Sequence, residues 1–258
     1  MGIASLCLLV SCRQPQNGQP GGSQGTGEGS VMECALYSTH LKQEVPFCVW
    51  LPIGYDAHKT YPFLYLLHGI YYGEQDRLDR SWLDKGDAAS IATAFQREGG
   101  TPMVIVMPNG YSSFYVGDYE AFFEEELIPW VEKDFGGNGL RAIAGLSMGG
   151  FGALYHALKY PERFTCAYAM SPVVKVLGVQ PGRFIASRPD KSVFPSFIME
   201  VGTEDVIVDN DDARELYEEM VRNGLDCEWI ERPGGHTWAF WKESLPKVLR
   251  KADVSFRR

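Results

Sequence analysis

The chain has 258 residues, of which 45% are hydrophobic and 13% aromatic, enough to bury the core of one large domain or two small ones. Acidic residues outnumber Lys and Arg by 33 to 24, a formal net charge of -9, and basic residues cluster only at Arg250, Lys251, Arg257 and Arg258. That balance excludes a nucleic-acid-binding surface and disfavours adhesion to anionic lipid.

The N-terminus differs in composition from the rest. Residues 3–10 are apolar and rich in small side chains, too short to span a bilayer, and end in Leu9-Val10-Ser11-Cys12. That ending resembles the lipobox of bacterial lipoproteins. The resemblance implies a signal peptide over residues 1–11, lipidation of Cys12, and an exported cell-envelope protein that meets the membrane only through this anchor. Residues 14–30, QPQNGQPGGSQGTGEGS, carry almost no apolar side chains and cannot build a core. Residues 12–30 are therefore expected to be a flexible linker, and residues 31–258 a single domain.

Within that domain the segments alternate in type. Residues 31–37 and 45–51 read as two strands joined through a polar turn, and residues 62–67 as a strand buried on both faces. A helix is expected over 82–98, a buried strand over 103–107 closed by Pro108-Asn109-Gly110, and an amphipathic helix over 119–135. Residues 142–144 end a further strand, and after the turn at 145–149 a helix follows to Tyr160, where Pro161 stops it. Strands at 164–170, 197–201 and 227–231, a helix over 211–223 and a closing helix after Trp238 complete the chain. Buried strands alternating with helices predict an α/β fold, a mostly parallel sheet covered on both faces.

Gly145-Leu146-Ser147-Met148-Gly149 lies between a strand and a helix, the setting of a G-x-S-x-G nucleophile turn. Its two glycines make room for a serine at a tight, strained bend, and the helix behind it aims free amides at the reacting centre. A serine that merely caps the helix would have the same spacing, so partners decide the reading. In such a sheet they lie on loops at the carboxyl ends of later strands. Asp205, just beyond the apolar run ending at Val201, is the expected acid, with Glu204, Asp209 and Asp211 as competitors. Glu204 is expected to face away, and Asp209 and Asp211 to open the next helix. His236 is the one histidine after Asp205, which completes the order Ser147, Asp205, His236. His40 and His58 fall in polar turns, and His156, nine residues into the helix behind the serine, is expected to be a packed or a surface histidine. His68 marks a loop whose next residues place the N–H of Ile70 beside that of Met148, a pair suited to hold a developing oxyanion.

Five stretches together resemble the esterase D-like α/β-hydrolases, which include tributyrin esterases and the feruloyl and acetylxylan esterases of carbohydrate esterase family 1. They are YPFLYLLHG from Tyr61, VMPNG from Val106, GLSMGG from Gly145, GTED from Gly202 and GGHTW from Gly234. The resemblance implies an α/β-hydrolase with a short lid and carboxylester hydrolysis through an acyl-enzyme. Ser147, Asp205 and His236 would be its triad, and Ile70 and Met148 its oxyanion donors. The expected substrates are feruloyl or acetyl esters of plant cell-wall polysaccharide. Alternatives are a short-chain acyl esterase, an S-formylglutathione hydrolase-like thioesterase, a sugar acyltransferase, or a carbohydrate-binding protein without catalysis. Tyr71, Tyr72, Trp82 and Trp238 are the aromatic residues expected to meet substrate, although Trp238 and Trp241 also suit packing of the last helix on the sheet. No metal-ligand spacing occurs, and no cofactor is expected. Among the cysteines, Cys34 and Cys48 on the first two strands are the pair to test for a disulfide, with free buried thiols the simpler expectation.

Overall fold

The computed structural model describes residues 10–13, 27–71, 73, 77–176 and 178–257. Among these residues nine strands form one sheet in the order β1-β2-β3-β5-β4-β6-β7-β8-β9. They are β1 (Val10–Arg13), β2 (Ser30–Ser38), β3 (Gln43–Leu51), β4 (Tyr61–Leu67), β5 (Val104–Pro108), β6 (Gly137–Leu146), β7 (Cys166–Met170), β8 (Ser196–Gly202) and β9 (Cys227–Arg232). The pairs β1/β2, β2/β3 and β3/β5 are antiparallel, and every pair from β5/β4 to β8/β9 is parallel. The expected α/β fold is therefore present, with an antiparallel wing on its N-terminal side.

The central strands are apolar throughout because both faces are covered. Phe63, Tyr65 and Leu67 of β4 enter one core layer, and Leu64 and Leu66 enter the other. The first layer is closed by α3 (Asp118–Ala121), a π-helical turn at Phe122–Leu127, α4 (Ile128–Asp134), α5 (Met148–Lys159), α6 (Arg183–Ala186) and α7 (Asn210–Arg222). The second is closed by α1 (Ser81–Asp84), α2 (Ala88–Arg97) and α8 (Trp238–Phe256).

Two predicted helices differ in detail. The one over 82–98 is split into α1 and α2 at Lys85-Gly86-Asp87, where Asp87 turns to φ 54°, left-handed backbone that an α-helix does not tolerate. The one over 119–135 widens into the π turn just ahead of Pro129, whose ring lacks the N–H that would continue the regular ladder.

The N-terminal expectations change more. Residues 10–13 are a strand on the sheet edge, with Cys12 opposite Cys34, and the two cysteines form a disulfide. Cys34 thus pairs with Cys12 and not with Cys48, whose thiol donates to Asp79 Oδ2 at 3.2 Å in the interior. The reason is register: Cys48 lies across from Glu33 on β2, not across from Cys34. A lipid thioether would use the same sulfur of Cys12 that the disulfide uses. Residues 14–26, most of the expected linker, lie outside the described residues.

Candidate active site

The parallel strands end in register. Leu67 is level with Gly145, Leu146 with Met170, Met170 with Glu200, and Gly202 with Arg232. Loops that leave these ends must converge along one edge of the sheet, although they are far apart in sequence. The chain also reverses direction across the sheet here: from β4 it runs outward to β5 and then returns to β6 on the other side. Such a switch point opens a crevice above the strands.

Ser147 stands in that crevice between β6 and α5. Its backbone sits at φ 54°, ψ -116°, a conformation that costs a residue with a side chain on the order of 1–3 kcal/mol. The strain is held from both sides, since the Ser147 N–H donates to the Met170 carbonyl at 2.9 Å and its carbonyl accepts from Phe151 N–H at 3.0 Å. A side-chain carbon at Gly145 would collide with the Gly149 carbonyl, and one at Gly149 would come within 2.5 Å of the Leu67 carbonyl. The G-x-S-x-G spacing is thus a steric requirement of the bend.

The loop after β8 carries Asp205, whose carboxylate is buried. Its Oδ1 accepts the backbone N–H groups of Ile207 at 3.0 Å and Val208 at 3.3 Å, which orients the group. Its Oδ2 accepts Nδ1–H of His236 at 2.7 Å. A carboxylate can only accept, so Nδ1 carries the proton and Nε2 is left to accept from Ser147 Oγ–H, 2.9 Å away. The competing acids go elsewhere. Asp209 caps α7 by accepting from Asp211 N–H and Asp212 N–H, while Glu204 and Asp211 are exposed. His236 is steadied by Trp241, whose ring meets the imidazole edge-on at 4.8 Å and whose Nε1–H donates to Ser171 Oγ at 3.2 Å.

A cavity of about 370 Å³ opens over this chain of hydrogen bonds, lined by Ile70, Tyr71, Ser147, Ile207, His236 and Trp238 among others. Tyr71 is 49% exposed at its rim and Ile207 is 71% exposed. Of the other aromatic residues expected to meet substrate, Trp238 lines the cavity but Trp82 does not. Trp82 is 1% exposed, donates its Nε1–H to the Leu67 carbonyl at 3.0 Å, and supports Trp238 edge-on at 5.3 Å. It lies under the site because its helix is the short α1, turned onto the end of β4. Tyr72 lies outside the described residues. Trp241 both packs α8 and lines the cavity, so the two readings of this pair are compatible.

His68 has a part that spacing did not reveal. It is buried, its Nδ1–H donates to the Gly69 carbonyl at 2.7 Å, and its Nε2 accepts from Gly110 N–H at 2.7 Å. Burial pushes its pKa down to about 4, which keeps the ring neutral, as a ring that donates and accepts at once must be. Tyr115 O–H donates to the His68 carbonyl at 3.0 Å. The loop leading to Ile70 is thereby clasped to the loop after β5. The sequence signal was the VMPNG stretch, whose Gly110 N–H closes the clasp. Leu78, Ser81 and Lys85 also line the cavity, and nothing in their spacing marked them.

Comparison with known proteins gives this geometry a family. Residues 38–252 match the family described as "Putative esterase". An acetyl esterase of Caldicellulosiruptor saccharolyticus is 25% identical over 270 residues, covering 85% of this chain and 97% of the relative. An endo-1,4-beta-xylanase/feruloyl esterase of Xylanibacter ruminicola is 30% identical over 154 residues, 53% of this chain and only 20% of that longer protein. Among solved structures, a ferulic acid esterase superposes with a TM-score of 0.79 at 27% identity, covering 89% of this chain and 99% of its own. The chain belongs to this esterase family, and it is a carboxylic ester hydrolase with the α/β-hydrolase fold.

Proposed function

We propose that Ser147 is the nucleophile, His236 the general base and Asp205 the group that orients and stabilises the imidazolium. The observation that carries this reading is the unbroken run from Asp205 Oδ2 through His236 to Ser147 Oγ, with links of 2.7 and 2.9 Å at the floor of an open cavity. Attack of Oγ on the ester carbonyl passes its proton to Nε2, and the imidazolium then protonates the departing alcohol. A water activated by the same nitrogen releases the acyl group.

The N–H groups of Ile70 and Met148 serve as oxyanion donors, each contributing on the order of 3 kcal/mol to the transition state. Met148 opens α5, so its N–H lacks an intrahelical acceptor, and among the described residues neither N–H is engaged by another backbone carbonyl outside the regular elements.

The substrates proposed are feruloyl or acetyl esters of plant cell-wall polysaccharide. The likeness to a ferulic acid esterase over nearly the whole chain supports the feruloyl reading, and the full-length likeness to an acetyl esterase supports short acyl groups as the second. The open cavity with aromatic walls suits either a phenolic acid or a sugar ring. Hydrolysis of methyl ferulate, 4-nitrophenyl acetate and butyrate, and acetylated xylan oligosaccharides by the wild type ranks these classes. Turnover of none of them would sink the reading.

Export is proposed on different grounds, since the Cys12–Cys34 disulfide fits an oxidising compartment. Recovery from cells with both thiols reduced would overturn it.

A further inference from the structure

We infer that Lys85 is a specificity residue of this cavity, selecting esters that carry a negatively charged group close to the scissile bond. The inference rests on the esterase reading of the site and names a feature of its substrate. Lys85 lines the same cavity as Ser147 and His236, and among the described lining residues it is, with His236 and the Tyr71 phenol, one of three with an ionisable side chain.

No carboxylate among the described residues takes up its charge. The acids beside it in sequence are taken by other cations: Asp84 is bridged to Arg80 at 2.7 Å, and Asp87 to Lys242 at 2.9 Å. Among the described residues no carboxylate lies within ion-pair distance of Lys85. The ammonium instead rests over the ring of Tyr71, 4.9 Å from its centre, on the rim of the cavity. In a chain with a net charge of -9, a cation beside the reacting serine with no carboxylate at ion-pair distance among the described residues is the group an anionic substrate would meet.

The backbone beneath it is fixed. The Lys85 N–H closes α1 on the Ser81 carbonyl at 3.0 Å, and Ser81 itself lines the cavity. Tyr71 and Lys85 therefore form one wall, an aromatic face topped by a positive charge. That pairing suits a substrate with an apolar body ending in a carboxylate, such as an acyl chain closed by a second acid group or an alcohol portion built on a uronic acid. An exposed ion pair of this kind changes affinity by up to about fivefold, and the change weakens with salt.

The test uses two isosteric pairs, with the charge on the acyl side in one and on the alcohol side in the other. These are methyl hydrogen adipate against its primary amide, methyl 6-amino-6-oxohexanoate, and 4-acetoxybenzoate against 4-acetoxybenzamide. The quantity read is the ratio of kcat/KM for charged over neutral ester within each pair, so that any general effect on the site cancels. In at least one pair the ratio should fall about threefold to fivefold in Lys85→Met and further in Lys85→Glu, through KM, with the difference shrinking in 0.5 M salt. The responding pair names the side of the ester that carries the charge. Ratios that stay unchanged in both pairs, while neutral esters are still hydrolysed, overturn the role of Lys85 and leave the esterase reading standing. A wild type inactive on all four esters overturns both.

Discussion

Two histidines in this protein sit beside carboxylates in nearly the same geometry, and they do different things. His236 Nδ1 is 2.7 Å from Asp205, and its Nε2 is 2.9 Å from Ser147 Oγ. His156 Nδ1 is 2.6 Å from Glu124, and its Nε2 is 2.9 Å from the Tyr115 carbonyl. What differs is the partner at Nε2. A hydroxyl can give up a proton and a carbonyl cannot, so only His236 can act as a base toward its neighbour. Access differs as well, since the His236 side chain is 13% exposed on the cavity and that of His156 is fully buried behind α5. The His156 cluster, in which Glu124 also pairs with Arg163, ties α5 to the π turn and holds the helix that carries Ser147 from behind.

The comparison can be broken by substitution at each place. Ser147→Ala should lower kcat on methyl ferulate or 4-nitrophenyl acetate by at least about four orders of magnitude, with the unfolding midpoint unmoved. Activity within tenfold of wild type would place the nucleophile elsewhere. Asp205→Asn should cost about 10⁴-fold in kcat by leaving the imidazole in the wrong tautomer, whereas Glu124→Gln should cost less than about tenfold. Equal losses in the two would erase the distinction drawn here. On stability the order reverses. His156→Leu, which leaves the buried Glu124 carboxylate with Arg163 as its charged partner and the Tyr115 carbonyl without its donor, should lower the free energy of unfolding by about 3 kcal/mol in a urea titration.

The smallest expected effect concerns a third histidine, the buried His68. The pKa of His68 is depressed from an ordinary 6.5 to about 4 in the folded protein. Its contribution to stability is therefore fully present above pH 6.5 and is lost as pH falls toward 4, because over that window the unfolded chain takes up a proton that the folded chain refuses. The loss should reach about 3 kcal/mol at its limit, and His68→Gln should remove that part of the pH dependence. A variant with the same acid slope as the wild type would show that other groups carry it.

Much of this was legible without coordinates, and for a physical reason. Runs such as FLYLL from Phe63 read as strands because burial on both faces leaves no place for a polar residue. The Ser147 bend was readable because the serine and the two glycines that clear it stand within five residues, although the room at Gly149 is needed against the Leu67 carbonyl of β4. That His236 would face Ser147 was expected from chain order alone. The choice of Asp205 over Glu204 and Asp209 was expected from position, but its basis lies in which oxygen accepts from Ile207 and Val208 and which faces His236.

Other features depended on contacts between distant parts of the chain. Trp82 and Trp238 look alike in sequence, yet one lies beneath the cavity and the other on its wall. Cys34 joins Cys12 rather than Cys48 because strand register sets which residues face each other across β1, β2 and β3. His68 and Gly110, 42 residues apart, meet only because β4 and β5 are neighbours. Local backbone geometry and hydrophobic period are written in windows of a few residues, so the sequence by itself determined the strands of the domain from β2 onward and the bend at Ser147. Which side chains face one another above the sheet is set by strand order and register, and that the tertiary structure alone decided.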